Sequence, residues 1–134
     1  MTAGPGERHP TELRVRRQSR ILEVTFDDGS RFELPFELLR VYSPSAEVLG
    51  HGPGQETLQL GKHEVGIRSV DPVGNYAVRL VFDDGHDTGL YTWGYLYELG
   101  STRAEKWQQY LERLAKLGIA YPTPLPAKPS RPTR

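Results

Sequence analysis

Three features of the sequence predict an α+β domain in which antiparallel β-hairpins form a sheet-rich core, short helices cover it, and one amphipathic helix closes the C-terminal end. Phe26-Asp27-Asp28-Gly29 and Phe82-Asp83-Asp84-Gly85 each lie between runs rich in β-formers, and glycine after aspartate supplies the positive φ of a tight hairpin turn. Val78, Leu80 and Phe82 recur at the two-residue period of a half-buried strand. Trp107, Tyr110, Leu111, Leu114 and Leu117 fall on one helical face, with Arg103, Lys106, Glu112 and Arg113 largely off it.

Taken in order, residues 1–11 carry glycine, proline and charge without periodicity and are expected to form a disordered arm. Leu13 and Val15 alternate with charged residues, Arg17 to Arg20 can turn the chain, and Ile21 to Phe26 follows as a strand. Arg31 to Leu34 returns as the next strand, and Pro35 suits the start of a short helix over Phe36 to Arg40, where its missing N–H costs nothing. Tyr42 to Gln55 is a glycine-, proline- and serine-rich loop. Thr57–Leu60 and His63–Val70 are expected to pair as strands, with Asp71 to Asn75 turning into a strand over Tyr76 to Phe82. Thr92 can cap a helix carrying Trp93, Leu96 and Leu99, with Gly100 at its left-handed end. Thr102 and Glu105 have the spacing of a capping box for the terminal helix, which Gly118 ends. One domain over 12–120 follows, with a disordered proline-rich tail over 121–134. The repeated Phe-Asp-Asp-Gly reads either as two similar β-β-α units sharing a core or as convergence on a good turn.

With 134 residues the chain has room for one domain with a core. Its 17 basic and 17 acidic residues balance, which argues against a nucleic-acid or anionic-membrane binder. It has no cysteine, which excludes disulfides, thiolate metal sites and cysteine nucleophiles within it. No apolar run is long enough for a signal peptide or a membrane span, so a cytoplasmic location is expected.

Asp71-Pro72-Val73-Gly74-Asn75-Tyr76-Ala77-Val78, the run from Phe82 to Trp93, and Tyr95-Leu96-Tyr97-Glu98-Leu99-Gly100 resemble the gamma-butyrobetaine hydroxylase-like N-terminal domain family. The resemblance spans about Leu13 to Leu117. It implies a small stand-alone bacterial protein of unknown function. The domain also occurs fused to P-loop iron–sulfur carrier ATPases and in front of carnitine-pathway iron/2-oxoglutarate hydroxylases. In those hydroxylases it holds a zinc on three cysteines and one histidine, apart from the catalytic iron. The zinc histidine matches His86, and the cysteine positions fall on or near Ser43, Ser45 and Val48, after Leu39-Arg40. Serine and valine cannot replace thiolates on zinc, so the family's zinc site is expected to be lost and no cofactor is assigned.

His86 is the first candidate for chemistry, as a residual metal ligand or proton carrier oriented by Asp84 or Asp87, or else as a turn histidine bonded to backbone or packed on the Ser43 loop. His51 and His63 could join it in a non-cysteine metal site, though their spacing matches no short-range ligand pattern. The aspartate pairs precede hairpin glycines, where turn geometry alone favours them. Trp93, Tyr95 and Tyr97 are candidates for binding, since aromatics with polar tips anchor protein interfaces, or for half-buried core. No nucleophile–base pair stands out. The expectation is a non-catalytic binding or adaptor domain for a protein partner, linked through its fused relatives to iron–sulfur or iron-enzyme proteins. The alternative is a metal-binding protein using His86.

Overall fold

A computed structural model of the chain describes residues 9–49, 58–59 and 61–121. The elements run β1 (Pro10–Arg16), β2 (Ile21–Phe26), β3 (Arg31–Pro35), α1 (Phe36–Val41), α2 (Ala46–Leu49), β4 (Ile67–Val73), β5 (Ala77–Phe82), β6 (Leu90–Thr92), α3 (Trp93–Ser101) and α4 (Arg103–Lys116). They form two three-stranded antiparallel meanders, β1-β2-β3 and β4-β5-β6. The α+β class read from the sequence is therefore the one observed.

Each meander runs directly into a helix, so the unit is β-β-β-α and occurs twice. The correspondence reaches single hydrogen bonds. Gly29 N–H donates to Phe26 O at 3.0 Å and Gly85 N–H to Phe82 O at 3.2 Å, with both glycines at positive φ, 88° and 95°. Phe26 N–H donates to Ser30 O at 2.8 Å, and Phe82 N–H to His86 O at 2.9 Å. Asp27 N–H reaches His9 O as Asp83 N–H reaches Gly66 O, both at 2.9 Å. Each first strand then breaks register once at the same place, between Pro10 and Glu12 and between Ile67 and Ser69. Each helix starts by donating to the residue that precedes the middle strand, Phe36 N–H to Arg20 O and Trp93 N–H to Tyr76 O. Of the two readings of Phe-Asp-Asp-Gly, repetition of a whole unit is the one that accounts for these pairs.

The inward faces of both units meet in one core of Leu22, Val24, Phe26, Leu34, Phe36, Leu38, Leu39, Ile67, Val78, Leu80, Phe82, Tyr91, Leu96 and Leu99. A smaller cluster of Val41, Tyr110 and Leu114 seats α4 against α1, with Trp107 packed on it. Of the expected face of α4, Leu117 falls outside this contact, at 63% exposure.

Several local expectations are corrected. Leu58 and Gln59 are not strand; residues 57 and 60 lie outside the described residues, and the strand begins at Ile67 and pairs with β5. Asp71 to Val73 belong to that strand, and the turn falls on Gly74 to Tyr76. Pro72 is tolerated because β4 is an edge strand. Gly100 lies within α3 and not at a left-handed end. Its role is close approach, since a Cβ there would overlap the Phe32 ring. The capping box does not form: Thr102 Oγ1 donates back to Glu98 O at 2.7 Å, because Thr102 closes α3 before it opens α4. Thr92 does cap α3, accepting from Tyr95 N–H at 3.2 Å. Tyr121, placed by sequence in the tail, donates to Glu37 Oε1 at 2.7 Å and meets Trp107 edge-on.

The register leaves one feature of β3 that matters later. Hydrogen bonds at Phe26–Ser30 and Arg20–Phe36 bracket the β2–β3 pair. By the alternation of an antiparallel ladder, Phe32 and Leu34 face β2, while the backbone groups of Arg31, Glu33 and Pro35 point away from the sheet.

Candidate functional site

Of the residues singled out by the sequence, His86 and the Ser43–Val48 segment come together where the end of α1 and the segment after it meet the β5–β6 turn. Asp84 sits in that turn because glycine follows it, and its Oδ1 accepts the His86 backbone N–H at 3.1 Å. This anchors the turn and lifts the His86 ring toward the chain leaving α1. There His86 Nε2 lies 2.9 Å from Ser43 Oγ, and the histidine is only 6% exposed. Ser43 Oγ also accepts the Ser45 N–H at 3.2 Å, and Ser45 Oγ meets Thr88 Oγ1 at 2.6 Å. Ser43, Ser45 and Val48 are all buried. Ser43, Ser45 and Val48 thus lie in one buried segment of chain, with His86 beside Ser43.

A charged layer lies next to this segment. Arg40, 7% exposed, donates through Nε to Asp84 Oδ2 at 2.9 Å, and Lys62 Nζ reaches the same oxygen at 2.7 Å. Burial works to raise the Asp84 carboxyl, but Lys62, the His86 N–H and Arg40 together bring it down to about 2. The Arg40 guanidinium carbon stands 6.0 Å from the Phe82 ring centroid, and Arg40 Nη1 is buried with no acceptor among the described residues. Below it, Tyr91 donates to Leu39 O at 2.5 Å, and burial drives its hydroxyl far above the ordinary tyrosine range. The contact of Asp84 with His86 that stands here is with the backbone N–H.

The aromatic candidates lie elsewhere. Trp93 donates its indole N–H to Asn75 O at 2.8 Å. Tyr95 donates to Tyr42 O, and burial, then Glu98 and Tyr42, push its hydroxyl up to about 12. Tyr97 donates to Asp28 Oδ2 at 2.7 Å and lies 3.1 Å from Ser30 Oγ, its ring edge-on to Phe26 and Phe32. His63 lies 3.9 Å from Glu64, with its Nδ1 buried and lacking a hydrogen-bond partner among the described residues. His51 lies outside the described residues. Among the described residues no three histidine, aspartate or glutamate side chains gather as a metal site.

Sequence reasoning missed Lys62, which has no local signal, and the pairing of Arg40 with Asp84 across 44 residues. It also missed a groove beside β3. One part, about 550 Å³, is lined by Arg31, Phe32, Glu33, Gly100, Arg103 and Ala104. An adjoining apolar pocket of about 310 Å³ shares Arg103 and Ala104 and adds Pro35, Leu38 and Trp107.

The family description "Gamma-butyrobetaine hydroxylase-like, N-terminal" matches residues 13–97. One protein solved by NMR is 47% identical, with a TM-score of 0.76 over 99% of both chains. A second NMR structure is 44% identical, with a TM-score of 0.74, covering 90% of this chain and 96% of the other. A crystal structure of a protein of unknown function from Acidithiobacillus ferrooxidans, of the DUF971 family, is 41% identical with a TM-score of 0.60, covering 73% of this chain and 98% of that one. No curated protein matches.

Proposed function

Because the chain belongs to the gamma-butyrobetaine hydroxylase-like N-terminal domain family, whose solved relative is itself of unknown function, we propose that it is a non-catalytic docking domain that binds a protein partner. The observation that carries this reading is how its chemically capable side chains are used. Arg40, Ser43, Ser45, His86 and Tyr91 are buried and bonded to one another's segments, tying α1 and the chain after it to the β5–β6 turn. Such groups build a rigid frame and present no nucleophile and base to a cleft. We assign the partner to the iron–sulfur or iron-enzyme proteins, on the resemblance to the family's fused forms, and place the encounter in the cytoplasm. Among the described residues no helix is long and apolar enough to cross a membrane.

The test is cross-linking of the purified full chain in a lysate of its source cell, followed by mass spectrometry and reconstitution with the purified candidate. A stoichiometric complex with one protein is expected. Zinc or iron at one equivalent in untagged protein, lost on His86→Ala, would overturn the reading in favour of a metal-binding protein.

A further inference from the structure

We infer that the groove between β3 and the start of α4 takes an extended, acidic–apolar segment of the partner as an added strand. This rests on the docking reading above and names the surface and the chemistry it recognises. Three observations on the groove carry it.

The first is the edge itself. β3 ends its sheet, and its register turns the Arg31 and Glu33 backbone groups outward. Unpaired edge groups are a template for another strand, and main-chain hydrogen bonds supply much of the affinity of strand addition. The edge is guarded in one place, where Arg103 Nη1 donates to Glu33 O. Among the described residues, that leaves the Arg31 N–H and C=O and the Glu33 N–H without strand partners. Pro35 ends the run, because it has no N–H to offer.

The second is charge. Arg31 is exposed and already paired with Glu23, which also holds Arg16 at 2.8 Å. Arg103 is different: its recorded contact is a neutral carbonyl, and among the described residues it has no carboxylate partner. A guanidinium at the mouth of a groove, satisfied only by one backbone oxygen, is matched by a carboxylate, which it can bind in two-pronged fashion. The third is shape. Beyond Arg103 the groove opens into the apolar pocket of Pro35, Leu38, Ala104 and Trp107. An acidic residue held at Arg103 would therefore place an apolar neighbour from the same extended chain over Trp107. Strand alternation separates residues on one face by two positions, so the recognised pattern is an acidic residue with an apolar one two positions from it.

The probe is a synthetic peptide with glutamate and leucine two positions apart and serine between them, titrated into the isotope-labelled full chain by NMR, with a lysine-for-glutamate peptide as its counterpart. Saturable shifts are expected at the Arg31, Glu33 and Ala104 amides and the Trp107 indole, with slowed exchange of the Arg31 and Glu33 amides. Arg103→Glu should weaken binding at least about tenfold, as for loss of one charge-assisted contact, and its spectrum should otherwise overlay the parent. No saturation at millimolar peptide, equal binding of the lysine peptide, shifts confined to another face, or self-association that occupies this edge would each overturn the inference. If the reconstituted partner complex survives Arg103→Glu unweakened, the groove is wrong and the docking reading stands. If no partner complex forms at all, the docking reading itself fails.

Discussion

The two Phe-Asp-Asp-Gly turns are the same piece of backbone closed by different chemistry. At the first, Tyr97 from α3 donates to Asp28 and its ring packs on Phe26. At the second, Arg40 from α1 donates to Asp84 and its guanidinium carbon lies 6.0 Å from the Phe82 ring centroid. Tyr97 and Arg40 occupy the same position, fifth in their helices, so each unit's helix closes the other unit's turn. The residue after the glycine differs as well, Ser30 in one and His86 in the other. The donor at the first turn is a neutral hydroxyl, whereas at the second it is the buried Arg40 guanidinium, reaching a partly exposed Asp84. The lesson is that a repeated backbone fixes where a side chain arrives, while the group that arrives there can be neutral or charged.

The comparison can be broken at its base by removing the aromatic under each turn. Phe26→Ala and Phe82→Ala should each cost about 3–5 kcal/mol, since both rings are buried in the shared core. Chemical denaturation would measure this, and a difference of more than about 2 kcal/mol between them would deny that the turns are equivalent supports. The closing groups should then separate. Arg40→Ala should cost about 2–3 kcal/mol, less than a fully buried pair because Asp84 keeps Lys62 and is partly exposed. Tyr97→Phe should cost about 1 kcal/mol, the scale of one hydrogen bond, because its ring contacts remain.

Acid sharpens the contrast further. With the Asp84 carboxyl at about 2 when folded against 3.8 otherwise, its contribution is present above about pH 4 and lost as pH falls toward 2. Allowing for its partial exposure, about 1 kcal/mol should go in that window, and Asp84→Asn should flatten the loss. Glu37 acts with the opposite sign. Burial raises its carboxyl above 4.5, partly countered by the Tyr121 hydroxyl and His63, so folding is favoured at low pH and loses that favour as pH rises through the folded value. Thermal melts of Glu37→Gln against the parent between pH 4 and 8 would show it. The last pair of tests falls on His86 and ends on an expected absence of effect. His86→Ala should cost about 1–2 kcal/mol through the lost contact with Ser43, and a chelator should leave the melting temperature unchanged.

Much of this fold can be read from short-range chemistry. Gly29, Gly85 and Gly118 stand at positive φ as their neighbours suggest, and Thr92 caps α3 as its place before an aromatic helix suggests. Where a residue type has two uses, local reading fails. Glycine serves both left-handed ends and close approach, and at Gly100 the nearness of Phe32 decides for the second. Thr102 could cap forward or bond backward, and the immediate junction of α3 and α4 settles it backward. In the candidate site, His86 and the Ser43–Val48 segment were legible through family resemblance. The ionic cluster was not, because Arg40, Lys62 and Asp84 carry no mutual spacing that a sequence displays.

The exchange of closing groups between the two units bears on how the chain folds. The contact of Arg40 with Asp84 spans 44 residues and that of Tyr97 with Asp28 spans 69, so neither hairpin can be finished by its own neighbourhood. Each half alone would be a meander with an unclosed turn and half a core, so the expected barrier is the meeting of the halves. Two fragments cut between the units should therefore each be unfolded alone and regain structure on mixing. The rate of recovery should depend on their concentrations, as for a bimolecular assembly.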